Sequence, residues 1–407
     1  MTLIECFDCS PMENIAGCLH LQPEKLILLG DKAQMEDVAH RYRRFLKKRN
    51  LNTRVELQDI RKNDLYHTTA VLADIVRREQ DCVIDLSGGD EQVILAVGAM
   101  LAGLDETQRR HVSVQKFDTA QRVLVDCDND GHVVRGKRTF LSVAEVVALN
   151  GGTTQTGTGQ ISSDCTPREL DALWSIVAAD PKGWNRSMAL LGEFESRSDS
   201  KREIRLDLDR IRGQLRNFDE KAPKLRSLLE EFHSRGIIDL HSSRNILSYT
   251  YTSPLLRCCT QKAGNVLEIK TLLEARAMQQ DGKSYFDDCQ MSVTIDWDGI
   301  THAPMERIPE TKNEIDVVLT KGLVPLFISC KNGDIGDEEL YKLHTVATRF
   351  GGPRARKMLV ATNLDRKSAA ADRSFIQRAW DMDIFVVSDA AELSREDWVE
   401  TFRTAML

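Results

Sequence analysis

The stretch Asn313-Glu314-Ile315-Asp316-Val317-Val318-Leu319 places two acids two residues apart in an apolar run. In a strand, residues two apart share a face, so Glu314 and Asp316 point one way and Ile315 and Val317 the other. The next apolar run, Phe327-Ile328-Ser329-Cys330-Lys331, puts Ser329 and Lys331 on a common face in the same way. A hairpin of the two strands gathers Asp316, Ser329 and Lys331 on one surface, with Glu314 beside them. Glu268, on a helix expected just upstream, is placed to complete the cluster. This set of groups suits phosphodiester hydrolysis. Carboxylates hold an oxygen-ligated Mg²⁺ or Mn²⁺ that polarises the phosphoryl group and activates water. A lysine nearby orients the water and offsets developing negative charge. The carboxylates expected at the metal are Asp316 and Glu268, with Glu314 and Ser329 as further candidate ligands.

A second candidate site lies near the N-terminus. Asp85-Leu86-Ser87-Gly88-Gly89-Asp90-Glu91 runs from a compact apolar strand into a helical pattern. Glycines there let the backbone approach a ligand, and a helix N-terminus offers free N–H groups to an anion. Ser87, Gly88, Gly89 and Asp90 are therefore candidate ligand contacts. The loop after the first strand, which carries Ser10 and Asn14, is expected on the same sheet edge, where open α/β sheets bind ligands. A plainer role competes: Ser87 or Asp90 as a helix cap.

The elements that must position these residues follow from periodicity. Residues 1–150 alternate strand candidates, the short apolar runs Leu3 to Phe7, Lys25 to Leu29 and Cys82 to Leu86 and the polar-apolar alternation Thr53 to Leu57, with helical patterns (Glu36 to Lys48, Thr68 to Arg78, Glu91 to Ala102). That alternation predicts a parallel sheet covered on both faces. Gly151 to Gly159, rich in Gly and Thr, reads as a loop at a domain boundary. Residues 151–250 read as a mainly helical, charged connector, with a winged-helix module as the sharper expectation. Residues 251–407 return to α/β: a helix from Val266 to Gln279, strands at Met291 to Trp297, Glu314 to Leu319 and Leu326 to Cys330, a helix from Glu338 to Phe350, and strands at Lys357 to Thr362 and Ile384 to Val387.

Composition agrees with an α/β protein of several domains. The 407 residues exceed one ordinary core. Hydrophobic residues make up 42% and charged residues 29%, the profile of a globular protein with no apolar run long enough to span a bilayer. The start of the chain has no secretory pattern, and ten scattered cysteines read as free thiols of a cytoplasmic protein. Cys6 and Cys9 form a lone C-x-x-C with no second pair to complete a zinc site. A net charge of −7 argues against a broad nucleic-acid-coating surface but leaves room for local, transient binding.

The order helix, three strands, helix, strand in the C-terminal part resembles the PD-(D/E)xK nuclease superfamily. Glu268 matches the helix acid of that pattern, Asp316 the metal-binding Asp and Lys331 the motif lysine. Ser329 stands where the pattern has Asp or Glu, which removes one carboxylate and leaves Glu268, Asp316 and the backbone at Cys330 as the implied metal shell, with Glu314 beside them. Combined with an N-terminal Rossmann-like domain carrying Ser87-Gly88-Gly89, the chain resembles the CARF-domain nucleases ancillary to type III CRISPR systems. The resemblance implies a homodimer that binds cyclic tetra-adenylate between its N-terminal domains and, once activated, degrades DNA, RNA or both with Mn²⁺ or Mg²⁺, with no membrane partner. It also implies a competing possibility, a nucleotide-sensing regulator with an inactive nuclease fold. The N-terminal loop departs from the family's Thr-Gly-Gly-Thr-Lys by its two acids, Asp90 and Glu91. A dinucleotide-dependent oxidoreductase is excluded because the first strand leads to Cys9-Ser10-Pro11, not to Gly-x-Gly-x-x-Gly.

Overall fold

A computed structural model describes residues 1–8, 11–61, 63–118, 123–128, 131–134, 139–156, 161–198, 203–299, 311–333, 335–364 and 368–407. Cys9, Ser10 and the 157–159 end of the expected boundary loop lie outside the described residues.

The N-terminal part is a six-stranded sheet built from β1 (Thr2–Cys6), β2 (Lys25–Gly30), β3 (Arg54–Asp59), β4 (Cys82–Asp85), β5 (Val112–Asp118) and β6 (Val123–Asp126). Its order is β3-β2-β1-β4-β5-β6, with every pair parallel except β5–β6. Two apolar clusters, one on each face, show why β1, β2 and β4 read as near-continuous hydrophobic runs. Chain direction across the sheet reverses between β1 and β4, so the loops after those strands flank the crevice where such sheets take ligands. The helices between strands carry side-chain caps, among them Asp31 on Ala33 N, Asp64 on His67 N and Asp90 on Val93 N. The Asp31 cap starts the second helix at Lys32, four residues before the expected Glu36.

The boundary segment is not simply a loop. Thr153–Thr156 forms β7 and pairs antiparallel with a C-terminal strand. Its threonines suit an edge strand, and the flanking glycines hid this in the sequence. The middle of the chain is mainly helical but also contains a small sheet, β8 (Ile204–Asp207), β9 (Ile238–Ser242) and β10 (Ile246–Tyr251), in the order β8-β10-β9. The element order there is helix Pro181–Glu195, β8, helix Leu208–Arg212, helix Phe218–Ser234, then the β9–β10 hairpin.

The C-terminal part follows a two-residue-strand hairpin, β11 (Gln279–Gln280) and β12 (Lys283–Ser284). Its sheet contains β13 (Asp288–Asp296), β14 (Lys312–Lys321), β15 (Val324–Lys331), β16 (Arg356–Ala361) and β17 (Ile384–Val387), in the order β17-β16-β15-β14-β13-β7. Helix Asn265–Ala277 covers one face. Nine of its thirteen residues are buried, more than the single stripe Val266, Ile269, Leu273 that periodicity marks. The charges this entails are paired: Lys270 and Glu274 lie 2.7 Å apart, both about 5% exposed. Helix Glu338–Gly351 covers the other face through Leu340, Leu343, Val346, Ala347 and Phe350. No described helix is long and apolar enough to cross a membrane.

Strict alternation fails in the middle of β13 and β14. Cys289, Met291, Val317 and Leu319 pack with the Asn265–Ala277 side. Val293, Ile295 and Ile315 pack on the opposite face, with helix Glu338–Gly351. All seven are odd-numbered and would share one face in regular strands. Each strand therefore changes face at one residue, Ser292 in β13 and Asp316 in β14. Those two residues are opposite one another, yet no pair joins them. Ser292 sits at φ 49°, the left-handed region that allows this reversal. The expectation that Ile315 and Val317 lie together behind the acids is corrected by this distortion.

Candidate active site

Asp316 stands where two strands part. β14 pairs with β15 from Lys321–Val324 to Val317–Ile328 and no further. Beyond that point the backbone N–H of Cys330 loses a strand partner, and the carboxylate of Asp316 replaces it, with Oδ2 2.6 Å from the nitrogen. A buried N–H left unpaired is costly, so the divergence and the acid belong together. Ser329 donates its hydroxyl to the same Oδ2 at 3.1 Å. The Lys331 ammonium is 4.0 Å from it and 3.1 Å from Glu339 Oε2. Asp316, Ser329 and Lys331 therefore meet at one oxygen. The side chain of Cys330 points the other way, its Sγ 3.6 Å from Thr271 Oγ1 on helix Asn265–Ala277, so only its backbone faces Asp316.

Glu268 lies in the first turn of that helix. Burial, then the charges of Asp316 and Glu314, push its carboxyl up to about 7, against the pull of Lys331 and Lys262. Glu314 is exposed and reaches the cluster through its charge. Burial also raises Asp316, opposed by Lys331, the Cys330 N–H and the Ser329 hydroxyl. Burial alone would lower Lys331, but Asp316 and Glu339 hold it above its ordinary value. The result is a pocket richer in carboxylates than in ammonium groups, with Asp316, Glu339 and Lys331 about one-fifth to one-quarter exposed. Such crowding of negative charge is relieved by a cation.

Two residues of this pocket escaped the sequence reading. Glu339, the second partner of Lys331, and Lys342, whose charge favours the ionised form of Asp316, both lie on helix Glu338–Gly351. Their spacing of three put them on one helical flank, but only the crossing of that helix over β15 brings the flank to Asp316.

In the N-terminal loop, the predicted contacts are largely committed to the fold. Ser87 donates its hydroxyl to Asp85 and accepts from Phe117 N at 2.7 Å. Asn14, fully buried, donates to Glu5 Oε1 and to the Cys6 carbonyl, each at 3.3 Å, and accepts from Asp8 N. Asp90 is exposed and caps its helix through Val93 N at 2.9 Å. Gly88 is required by close approach: a Cβ there would lie 2.2 Å from Asn14 Nδ2 and 2.5 Å from the Cys6 carbonyl oxygen. Gly89 combines φ +91° with a Cβ position 2.8 Å from that of Cys6. The loops after β1 and β4 thus lock together. What remains for a ligand is the backbone surface they form at the switch point. Beneath it lie two acids that the reading passed over, Glu5 and Asp85, register partners on β1 and β4 and both 0% exposed. Burial and Asp85 hold Glu5 well above the usual carboxylate range, and burial raises Asp85 to about 6. The signal was present: an acid inside the run TLIEC and another inside CVID, where a parallel strand should be apolar. The nine described cysteines are all free and Cys6 is buried; its C-x-x-C partner Cys9 lies outside the described residues.

No family model matches the sequence, and no curated protein matches it. Solved structures do match. Protein VC1899 from Vibrio cholerae superposes with a TM-score of 0.72 at 17% identity, covering 100% of this chain and 97% of that one. Can2 from Sulfobacillus thermosulfidooxidans, solved in complex with cyclic tetra-adenylate, gives a TM-score of 0.65 at 14% identity, again covering 100% and 97%. Over its whole length, this chain has the fold of those two proteins: an N-terminal Rossmann-like domain and a C-terminal restriction-endonuclease-like α/β domain.

Proposed function

We propose that this chain is a metal-dependent nuclease switched on by cyclic tetra-adenylate, acting on DNA, RNA or both in type III CRISPR defence. The observation that carries the chemistry is the meeting of Ser329, the Cys330 N–H and Lys331 at Asp316 Oδ2, where β14 leaves β15. The donor set fits a hard divalent cation. Mg²⁺ is commonly held by one or two carboxylates, the rest of its shell being water and substrate phosphate. Asp316 and Glu268 supply two carboxylates, and the Cys330 backbone is adjacent. Among the described residues no three His, Cys, Asp or Glu side chains converge on one point, which is in keeping with a shell completed by substrate. When bound, such an ion polarises the scissile phosphate. Lys331 holds the attacking water and offsets charge on the phosphoryl oxygens. Glu268, as a ligand to that ion, would be held in its ionised form.

The activator reading is supported by the crevice between β1 and β4 and by the likeness to a fold solved with cyclic tetra-adenylate. In this reading residues 1–150 sense the ligand, 151–250 form a connector and 251–407 form the nuclease, with β7 reaching into the nuclease sheet. The helix–strand–helix–helix–strand–strand order of the connector supports a winged-helix module. Two copies related by a two-fold axis would present the crevices to one ring.

A second reading has one specific observation in its favour. Ser329 hydrogen-bonds Asp316 where the superfamily adds a carboxylate, as expected of a regulator with a silent nuclease fold. Nicking of supercoiled plasmid and cleavage of labelled single-stranded DNA and RNA, with Mn²⁺ or Mg²⁺ and with or without cyclic tetra-adenylate, separates the two. Cleavage that needs both metal and ligand supports the nuclease; intact substrates under every condition leave the regulator.

A further inference from the structure

A cleft of about 920 Å³ opens between the two α/β parts, walled on one side by Arg41 and Asp8 and on the other by Trp297, Thr345 and Arg349. Two guanidinium groups from different domains converge in it. Measured from the position a Cβ would take on Gly151, Arg41 Nη1 is 3.6 Å away and Arg349 Nη2 4.0 Å. Arg41 is anchored, its Nε on the Leu149 carbonyl at 2.9 Å and its Nη1 on Asp37. Arg349 is exposed and stacks near the Phe350 ring, 5.8 Å from its centre. Asp37, on the same helix as Arg41, already offsets part of that charge; an anion lying between the two guanidinium groups would be bonded by both.

The cleft is joined to the active site by one helix. On helix Glu338–Gly351, Lys342, Thr345 and Arg349 lie at i, i+3 and i+7, a single stripe. Lys342 is close enough to Asp316 to favour its ionised form. From Lys342 to Arg349 the axis rises about 10 Å, about three nucleotide steps at ~3.4 Å each along a duplex. Trp297 adds an aromatic wall on which a base could stack.

We infer that Lys342, Thr345, Arg349 and Arg41 form a track for the phosphates of the substrate strand, running from Asp316 into the interdomain cleft. This rests on the nuclease reading above and gives the sensing domain, through Arg41, a direct hand in holding substrate. An overall charge of −7 makes such a local strip the means by which an acidic protein holds a polyanion. Substrate would then feel any movement of the two domains, because the strip is continuous only while Arg41 and Arg349 face one another.

The test uses the full chain carrying Asp316→Ala, so that substrate is bound and not cut, with saturating cyclic tetra-adenylate. Fluorescence anisotropy is read with three 20-nucleotide probes: single-stranded DNA, single-stranded RNA and duplex DNA. Adding Arg349→Ala is expected to weaken the best-bound probe about five- to tenfold at 50 mM salt and to lower the slope of log Kd against log salt by about one. Arg349→Lys should restore most of the loss, and Arg41→Ala should act in the same direction. Affinity for cyclic tetra-adenylate, measured by calorimetry, should stay within twofold. Thermal unfolding of each variant confirms an intact fold, and Arg349, which among the described residues has only a ring contact, is the variant least able to disturb it. Unchanged nucleic-acid affinity in both arginine variants overturns the track. A parallel loss of cyclic tetra-adenylate affinity also overturns it, assigning the cleft to the activator. If the Asp316→Ala chain binds none of the probes, the nuclease reading itself falls, before any arginine is changed.

Discussion

Replacing Glu268 by Gln should make the metal-free protein more stable while abolishing its activity. The carboxyl is raised from 4.5 to about 7 by burial, Asp316 and Glu314. A carboxyl raised by folding binds its proton more tightly in the folded than in the unfolded chain. That advantage is complete below pH 4.5 and disappears as pH rises through 7. With those two values, linkage gives a loss of about 1.4 kcal/mol by pH 5.5 and about 3 kcal/mol by pH 8.5. Glutamine keeps the shape and does not ionise, so Glu268→Gln should recover most of this. The figure is an upper bound, because the side chain is partly open to water, which screens the neighbouring charges. The assay is urea unfolding of the full chain in EDTA, followed by the C-terminal tryptophans, at pH 5.5 and 8.5. The gain should be about twofold larger at the higher pH. Saturating Mn²⁺ should shrink it by stabilising wild type more than the variant. If Glu268→Gln is less stable at pH 8.5, or its effect does not change with pH, then Glu268 is not pressed by Asp316 and Glu314, and the metal shell proposed for it is wrong.

Other changes probe other parts of the argument. Lys331→Ala should reduce cleavage at least a hundredfold and leave cyclic tetra-adenylate binding unchanged by calorimetry, since among the described residues the lysine pairs with Asp316 and Glu339; cleavage at the wild-type rate would remove Lys331 from the mechanism. Ser292→Val forces a β-branched residue into a φ of 49° and should lower stability by about 1–2 kcal/mol; kcat should fall with it, because the face switch that aims Asp316 depends on the same distortion, whereas Ser292→Gly should preserve both. Gly88→Ala drives a methyl to 2.2 Å from Asn14 Nδ2 and should destabilise the N-terminal part by about 1–3 kcal/mol, read as an early unfolding phase, with the nuclease sheet unaffected. Ser87→Ala strands the Phe117 N–H, a loss of about 1–3 kcal/mol, and calorimetry with cyclic tetra-adenylate will show whether the loop's backbone surface weakens with it.

Composition and periodicity by themselves determined much of this protein. The alternation of buried runs and helical patterns fixed the N-terminal parallel sheet, because a strand covered on both faces must be apolar throughout. Acid-x-acid in one strand and Ser-x-Lys in the next were enough to single out Asp316, Ser329 and Lys331, since side chains two apart share a face in a regular strand. Other features had no local signature. Thr153–Thr156 becomes a strand only because β13 offers an edge to pair with. Ile315 and Val317 end on opposite faces because Ser292 and Asp316 yield together, a distortion set by pairing across 24 residues of sequence. Glu339 and Lys342 join the site, and Arg41 meets Arg349, only through the crossing of one helix over the sheet and the packing of distant parts of the chain on one another. Periodicity reports which side of its own element a residue occupies. Which element that side then faces is a matter of packing between distant segments, and packing alone decided it here.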